Sequence, residues 1–280
     1  MAERRIGMVM AMTGEKVSKR SDPAVQRILD ITKHSRQNAK TILLEDEEPT
    51  LQAVNAGVKV QELYFAENFP PAQTVLDMAG DRRIPVRPVT NEILRLLFPA
   101  GKKPKLFGVA TAPRALTLDV LASGRQDFVV LDGVKIVGNI GAIIRTSYAL
   151  GASGVVLLDS DLERISDARL IRSSRGYVFS LPVVLSDSGS LREFLKREGV
   201  RPVLFDAHGR TDLRSLSGLD NRLAFVMGSE KRGPSFNADG LDPATVSIPM
   251  IDEVESLNVS VATGIALQQR MERNIALHKA

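Results

Sequence analysis

Three short segments in the second half of the chain carry small hydrogen-bonding side chains at spacings that could hold a ligand. The last of them runs from 246 to 267. It predicts a short apolar strand over 246–250, an acidic loop, and a helix whose first turn carries Ser256, Asn258 and Ser260. Two hydroxyls and an amide at a helix start can hold a polar ligand. The structural alternative is a capped amphipathic helix with Ser256 at the cap and no ligand.

An earlier segment places small residues after a predicted strand and a cation on the helix that follows. It contains Gly138, Asn139 and Gly141, with Arg145 further along the helix. Small residues let a backbone approach a ligand, and the amino terminus of a helix favours anions. The glycine spacing differs from the dinucleotide-binding fingerprint, which argues against a nucleotide-binding oxidoreductase. A tight turn with a solvated Arg145 is the structural alternative.

The segment between these two contains Gly228, Ser229 and Glu230, and it follows a strongly apolar predicted strand at 223–227. Open parallel sheets bind ligands outside the carboxyl ends of their strands. The Gly-Ser pair permits close approach of a ligand, and Glu230 offers a carboxylate to ribose hydroxyls or to a catalytic arginine. An ordinary charged turn is the structural alternative here.

The elements that must position these segments form two alternating series of strands and helices. We predict a disordered tail over 1–22, a small α/β unit over 23–112, a linker over 113–125 and a second α/β unit over 126–280. Strands of the second unit, such as 128–132 and 154–159, are nearly continuous apolar runs. Such runs indicate a parallel sheet that is covered on both faces.

Composition excludes several classes of function. The chain has 280 residues, 44% of them hydrophobic, and no cysteine, so disulfides and thiolate chemistry are impossible. Three widely spread histidines make a metal site improbable, and we expect none. No apolar run approaches the ~20 residues of a membrane helix, and no signal peptide is evident, so we expect a cytoplasmic protein without membrane contact.

Positive charge is concentrated in one stretch. The formal net charge is +4 and the sequence pI about 9.4. Between Arg95 and Arg125 there are six basic residues and one acid, Asp119, and six minus one gives +5, more than the net charge of the whole chain. This local excess favours a polyanionic partner.

Taken in order, the three segments resemble the three motifs of the SpoU branch of the SPOUT RNA methyltransferases. The first corresponds to Asn139 and Arg145, the second to 228–230, and the third to 248–250 with 256–260. This resemblance covers about residues 126–275. A closer resemblance, to the thiostrepton-resistance subfamily, runs over nearly the whole chain. The stretches that carry it are 21–27, 134–141 and 174–182. One departure is Arg232, where that subfamily suggests glycine.

The resemblance implies an S-adenosylmethionine-dependent enzyme that methylates a ribose 2′-hydroxyl of 23S rRNA. It implies a homodimer and a Rossmann-like carboxyl-terminal domain with a parallel sheet and a deep trefoil knot, although knots are nearly absent from proteins in general. It also implies that the amino-terminal unit is a small ribosomal-protein-like α/β domain that binds RNA.

Roles for individual residues follow from the same resemblance. Gly228, Ile248, Met250 and Leu257 would line the cofactor pocket. Arg145 would be catalytic; a guanidinium is a poor proton acceptor at neutral pH, so we expect it to hold the phosphate and stabilise charge on the 2′-oxygen. The other expected catalytic residues are Asn139 and Glu230, which orient Arg145 and the ribose, and Ser256 and Asn258, which fix the active-site loops. The expected RNA contacts are Arg36, Phe98, Lys102, Lys103, Lys105 and Arg175.

Several alternatives remain open at the level of sequence. Phe98 with the lysines could instead be a core phenylalanine beside a solvated loop, and Arg175 could be a solvated surface residue. We expect self-resistance to a thiopeptide such as thiostrepton. The alternatives are orthosomycin-type resistance, housekeeping methylation of rRNA or tRNA, and a non-catalytic RNA-binding protein. The intact set of Asn139, Arg145, Glu230 and Asn258 argues against the last, because a pure binder does not need all four.

Overall fold

The computed structural model describes residues 14–33, 40–100, 103–207, 209, 211–229, 233–251 and 253–279. The chain divides into two compact units. The first extends to Pro113 and includes 166–168, and the second comprises 114–165 and 169–280. In the described ranges no helix is long and apolar enough to cross a bilayer.

The first unit is a four-stranded mixed sheet with helices between its strands. Strand β4 lies between β1 and β2 and is antiparallel to both, whereas β2 and β3 are parallel. The alternation expected from the sequence is therefore present. Its elements are α1 (Pro23–Lys33), β1 (Thr41–Glu45), α2 (Glu47–Asn55), β2 (Val60–Ala66), α3 (Gln73–Asp81), β3 (Val86–Val89), α4 (Asn91–Leu97) and β4 (Leu106–Thr111).

Residues 14–22 belong to this fold, so the expectation of a disordered tail is wrong for them. The Gly14 amide donates to the carbonyl of Val86 at 2.8 Å, and the Val17 amide to that of Pro88 at 2.9 Å. Val17 is only 1% exposed, so burial of its side chain holds this segment beside β3. Helix α1 then begins at Pro23, with the Asp22 carboxylate accepting from the Ala24 amide at 2.8 Å.

Aromatic packing centres the core of the first unit on Phe107. Its ring stacks on Tyr64 at a centroid distance of 5.2 Å and meets the edge of Phe98 at 5.1 Å. Phe98 is only 7% exposed. Its ring supports the fold and offers no open face to an RNA base, so the structure corrects the expected RNA contact in favour of the core alternative.

The second unit is a seven-stranded sheet in the order β7-β6-β5-β10-β8-β11-β9, with every neighbouring pair parallel. Strand β5 is buried at all five positions, as a sheet covered on both faces requires. The elements are β5 (Phe128–Asp132), α5 (Val137–Ala149), β6 (Val155–Leu158), α6 (Ala168–Ser173), β7 (Val183–Ser186), α7 (Ser188–Glu198), β8 (Arg201–Phe205), β9 (Thr211–Asp212), β10 (Leu223–Gly228), β11 (Ala244–Ser247), α8 (Val259–Gln268) and α9 (Met271–Lys279).

Part of the expected linker over 113–125 is folded. Leu118–Leu121 forms a turn of 3-10 helix, and Leu121 is 1% exposed. It packs in the same hydrophobic cluster as Phe128 and Phe194 of the second unit. The division between the two units falls at the start of this stretch, and burial of Leu121 orders its second half.

The sheet brings two late chain segments into backbone contact. Strand β11 lies between β8 and β9, although both precede it in the chain. The Ser247 hydroxyl donates to the Gly209 carbonyl at 2.9 Å. A Cβ atom on Gly209 would lie 2.5 Å from the carbonyl carbon of Val246, so only glycine permits this approach.

A buried ion pair ties the end of the chain to the start of β5. The Arg270 guanidinium lies 2.9 Å from the Asp127 carboxylate, and both side chains are fully buried. Asp127 also accepts from the Leu223 amide at 2.9 Å, while its own amide donates to Asn274 Oδ1 at 3.0 Å. These bonds satisfy groups whose burial would otherwise be costly.

Candidate active site

A cavity of about 280 Å³ lies at the carboxyl ends of β8, β10 and β11. This is the edge at which open parallel sheets bind ligands. Three chain segments form its walls: the end of β8, the end of β10 with its loop, and the stretch from β11 into α8. The lining residues are Phe205, Asp206, Ala207, Met227, Gly228, Ser229, Gly233, Val246, Ile248, Met250, Glu255, Ser256, Leu257, Val259 and Ala262.

The cavity gathers all four residues that were expected to bind the cofactor. Gly228, Ile248, Met250 and Leu257 line it, and Ser256 lines it with them. The sequence motifs did not single out the wall contributed by β8. An indirect signal existed, since that strand also ends at the edge where ligands bind.

The lining suits a small cation that has apolar parts. Asp206 and Glu255 contribute carboxylates, and no lysine or arginine occurs among the described lining residues. Phe205, Met227 and Leu257 provide apolar surface. Opposite charge attracts a cation into the cavity, and the apolar groups favour burial of a ring.

Gly228 is required because the loop after β10 folds back on itself. The Gly233 amide donates to the Ser229 carbonyl at 2.9 Å, and Gly233 has a φ of +65°. A Cβ atom on Gly228 would lie 1.9 Å from the Gly233 carbonyl carbon. No side chain fits there, so the backbone of Gly228 itself faces the cavity.

Asp132 holds the far end of this loop. It is 5% exposed, and its Oδ2 accepts from the Ser235 hydroxyl at 3.0 Å, from the Phe236 amide at 2.7 Å and from the Ser235 amide. The three sequence motifs do not include Asp132. Its signal was a carboxylate that ends the otherwise apolar strand β5.

The turn into α8 differs from the expected one. Strand β11 ends at Ser247 rather than at Met250, because Pro249 has no amide to donate to a neighbouring strand. Helix α8 begins at Val259, and Asn258 is its cap. The Asn258 side-chain oxygen accepts from the Ser260 amide at 2.9 Å and the Ser260 hydroxyl at 2.6 Å, so the cap is Asn258 and not Ser256.

Two of the expected catalytic residues touch across a wide separation in sequence. Asn258 Nδ2 donates to Asn139 Oδ1 at 3.3 Å. Asn139 lies in the first turn of α5, which follows β5. The contact therefore joins the first segment to the third beside the cavity.

Neither expected functional arginine of the second unit is part of the cavity lining. Arg145 is exposed on α5, about 9 Å along the helix axis from Asn139. Arg175 is also exposed and has a φ of +51°, followed by Gly176 at +83°. A left-handed conformation is uncommon for a residue other than glycine and often marks a functional segment.

Lys135 ties together the loops that follow β5 and β6. Its Nζ lies 3.1 Å from Asp159 Oδ1 and 3.2 Å from Asp161 Oδ1. The hydrogen bond to Asp159, with a further one to Asp161, raises the pKa of Lys135 above its ordinary value. Lys135 therefore links the loop after β5, which leads to Asn139, to the loop after β6.

Some expected site residues lie outside the described residues: Arg36, Lys102 and Glu230. Lys103 and Lys105 are described and exposed. Within the ranges that the structure covers, no three His, Asp or Glu side chains are grouped so that they could hold a metal ion.

Two family descriptions match the chain and together span nearly all of it. The amino-terminal domain described as "Thiostrepton-resistance methylase, N terminus" matches residues 14–124. The family described as "SpoU rRNA Methylase family" matches residues 127–268. The division between the matches falls in the stretch that precedes β5.

Two curated relatives are similar over almost their entire length. The 23S rRNA (adenosine(1067)-2'-O)-methyltransferase of Streptomyces azureus is 49% identical over 265 residues, which cover 95% of this chain and 98% of the relative. The protein of the same description from Streptomyces laurentii is 51% identical, with 92% of this chain and 95% of the relative covered.

Solved structures share this fold over nearly the whole chain. An AdoMet-bound rRNA methyltransferase from Sinorhizobium meliloti superposes with a TM-score of 0.76 at 25% identity, covering 94% of this chain and 98% of that one. The SpoU methyltransferase AviRb from Streptomyces viridochromogenes superposes with a TM-score of 0.74 at 25% identity, covering 91% of this chain and 98% of the other.

Proposed function

The chain belongs to the SpoU rRNA methylase family, and from this membership we propose that it methylates a ribose 2′-hydroxyl of 23S rRNA with S-adenosylmethionine. The observation that carries the proposal is identity of about half of all residues, over both units, to two 23S rRNA 2′-O-methyltransferases. The target is the adenosine that the names of those relatives specify. An rRNA substrate implies that the protein acts in the cytoplasm.

The residues around the cavity fit S-adenosylmethionine. Its sulfonium and ammonium groups are cationic, and the cavity supplies Asp206 and Glu255 with no lysine or arginine among the described lining residues. Apolar side chains of Phe205, Met227 and Leu257 are available for the adenine ring. When bound, this cofactor supplies an electrophilic methyl group. A neighbour with bound AdoMet shares the fold and supports the assignment.

Arg145 acts on the RNA. The 2′-oxygen gains negative charge as it attacks a methyl group, and a fixed guanidinium stabilises that charge and the adjacent phosphate. A guanidinium remains protonated at neutral pH, so it is not the proton acceptor. Exposure of Arg145 on α5 leaves it accessible to a macromolecular substrate.

The remaining polar residues organise the site. Asn139 orients Arg145 and the ribose, and the 3.3 Å hydrogen bond from Asn258 holds Asn139 in place. Ser256 belongs to the cavity wall and fixes the loop before α8. Glu230 orients Arg145 from the loop after Gly228. A rigid constellation of this kind lowers the cost of bringing substrate and cofactor together.

The first unit binds the rRNA. Lys103 and Lys105 are exposed, and with Arg36 and Lys102 they give this unit cations for phosphate contacts. Arg175 contributes a further contact from the second unit. The match of this unit to the amino terminus of thiostrepton-resistance methylases supports a role in self-resistance to a thiopeptide such as thiostrepton.

The enzyme works as a homodimer. Among the described residues from Ile136 onward, the second unit exposes five large apolar side chains: Ile136 at 60%, Tyr148 at 43%, Ile251 at 69%, Val254 at 39% and Val261 at 51%. Exposed apolar side chains of this kind are typical of interaction surfaces. A second copy that buries them is the occupant we propose.

The segments around the cavity form a trefoil knot. Insertion of β11 between β8 and β9 supports it, because the connection from β8 to β9 must pass over a strand that comes later in the chain. The contacts of Gly209 with Val246 and of Gly228 with Gly233, both too close for a side chain, support tight threading. This would be one of the rare exceptions to the rule against knots.

Mapping of 2′-O-methylation tests the proposed function. Protein-free 23S rRNA is incubated with S-adenosylmethionine, with and without the protein, and primer extension at low nucleotide concentration locates the modified residues. We expect one new stop, at the adenosine named in the relatives. A stop at another 23S nucleotide would favour resistance of the orthosomycin type or a housekeeping role, and the absence of any stop would favour a non-catalytic binder.

A further inference from the structure

Phe69 is the aromatic residue of the first unit that faces solvent. This unit contains five aromatic residues, all of them described: Tyr64, Phe65, Phe69, Phe98 and Phe107. Four are at most 7% exposed, whereas Phe69 is 51% exposed. Exposing a phenylalanine ring to water is unfavourable, so this position requires a reason other than the core.

The turn that carries Phe69 is fixed by backbone hydrogen bonds. The Phe69 amide donates to the Ala66 carbonyl at 2.7 Å, and the Ala66 amide donates to the Lys105 carbonyl at 2.9 Å. The Glu67 amide donates to the Val89 carbonyl at 3.0 Å. Two prolines follow Phe69 and restrict the backbone further. The ring is therefore presented by an ordered turn, which reduces the entropy lost when a ligand binds.

A cation accompanies the ring. Lys105 Nζ lies 4.8 Å from the centroid of Phe69, within range for a cation–π contact. Lys103, two residues earlier, is exposed as well. An aromatic face beside ammonium groups is the combination that binds an unstacked nucleobase together with its phosphate.

The surroundings of Phe69 favour a nucleobase over a protein partner. Among the described residues up to Pro113, no other large hydrophobic side chain is exposed. Protein interfaces have an apolar core formed by several residues, which this surface lacks. A single ring with a cation offers one stacking position and one phosphate contact.

We propose that Phe69 stacks on an unpaired base of the rRNA substrate while Lys105 contacts a neighbouring phosphate. Phe69 then takes the role that the sequence suggested for Phe98. This inference rests on the proposed function, since it takes 23S rRNA as the ligand of the first unit.

The test measures the affinity of the full-length protein for a protein-free 23S rRNA transcript that contains the target adenosine. Phe69→Leu keeps an apolar side chain and removes the ring, and we expect it to weaken binding roughly tenfold. Phe69→Trp, which keeps an aromatic ring, should bind the transcript as tightly as the wild-type protein. Affinity for S-adenosylmethionine should stay unchanged, because the cavity lies in the second unit. Lys105→Met should reduce the slope of log affinity against log salt by about one.

Transcripts with a single abasic site at each unpaired position identify the stacked base. For one of these abasic transcripts, the affinity of the wild-type protein should fall to the affinity of Phe69→Leu for the intact transcript. The affinity of Phe69→Leu for that abasic transcript should show no further decrease. Leu116→Ala, at another exposed apolar residue, is the control and should not change affinity.

Three outcomes would overturn the inference. If the wild-type protein methylates the transcript and Phe69→Leu binds it equally tightly, the inference alone fails. If binding weakens on ribosomal subunits but not on protein-free RNA, Phe69 contacts a protein instead. If the wild-type protein neither binds nor methylates the RNA in either form, the proposed function fails as well.

Discussion

Arg145 is an exposed residue whose proposed contribution to methyl transfer depends on its charge and not on packing. It lies on α5 outside the cavity lining, so its removal should leave the cavity intact. In the proposed function its side chain acts on the RNA and not on the cofactor. A residue of this kind affects the chemical step more than the binding of a small molecule.

We therefore predict that Arg145→Ala reduces methyl transfer by at least about 100-fold, as loss of a charge-stabilising group does in other active sites. Transfer of a labelled methyl group to 23S rRNA measures the rate, and calorimetry measures cofactor affinity, which should stay unchanged. Arg197→Ala is the matched control, since Arg197 is an exposed helical arginine paired with Asp119. A normal rate for Arg145→Ala would contradict the catalytic assignment.

Asp127 represents the opposite case, a charged residue that is completely buried. Its replacement by Asn would leave the Arg270 guanidinium buried without an opposing charge. We expect the free energy of unfolding to fall by about 3–5 kcal/mol, measured by urea denaturation. Asp119→Asn, which breaks an exposed pair with Arg197, should have little effect. If Asp127→Asn and Asp119→Asn lowered the free energy of unfolding equally, burial of the Asp127–Arg270 pair would not matter to stability.

At the scale of elements, α5 depends on glycine where it approaches the next helix. A Cβ atom on Gly141 would lie 2.1 Å from Ser173 Oγ and 2.6 Å from the Ser173 carbonyl carbon. The Ser173 hydroxyl in turn donates to the Val137 carbonyl at 3.1 Å. The start of α5, with Asn139, is thus held directly against α6.

Gly141→Ala should therefore destabilise the protein by about 1–3 kcal/mol, because the backbone of Ser173 cannot move aside freely. Gly138→Ala is the control on the same helix, since no atom other than those of its chain neighbours and its own helix backbone lies within 4 Å of the added methyl group. Alanine there should be neutral or stabilising. Thermal unfolding of both variants measures the difference, and a stable Gly141→Ala would contradict the close contact.

The observed boundaries of helices and strands show which local sequence signals suffice to predict where an element begins or ends. Strand β5 spans Phe128–Asp132 as expected, because an apolar run determines it locally. A capping aspartate likewise begins α1 at Pro23. The expected strand end at Met250 was wrong, and the cap at Ser256, which was the structural alternative, was wrong as well. There the proline at 249 and the side chain of Asn258 determined the structure.

At the scale of the whole molecule, association should depend on the five exposed apolar side chains of the second unit from Ile136 onward. Val261→Lys places a charge where the proposed dimer would bury a valine that is 51% exposed in the single chain. We expect sedimentation to show a shift from dimer to monomer. Leu116→Lys, at an apolar residue 37% exposed, is the control and should leave the dimer intact. An unchanged dimer of Val261→Lys would exclude Val261 from the interface.

The sequence by itself determined the alternation of strands and helices and the family, and it predicted four residues that the structure brings to one cavity. These features depend on local periodicity, on capping residues and on three short motifs. Their signals are complete within each segment, so no knowledge of distant residues is needed.

Only the tertiary structure decided which residues meet and which side chains remain exposed. Asn139 contacts Asn258 although 119 positions separate them. Asp132 anchors the loop near 235, and Phe98 is buried while Phe69 is exposed. The physical reason is that burial is a property of faces brought together by strand order. An aromatic residue beside lysines has the same local sequence whether its ring points into the core or toward RNA.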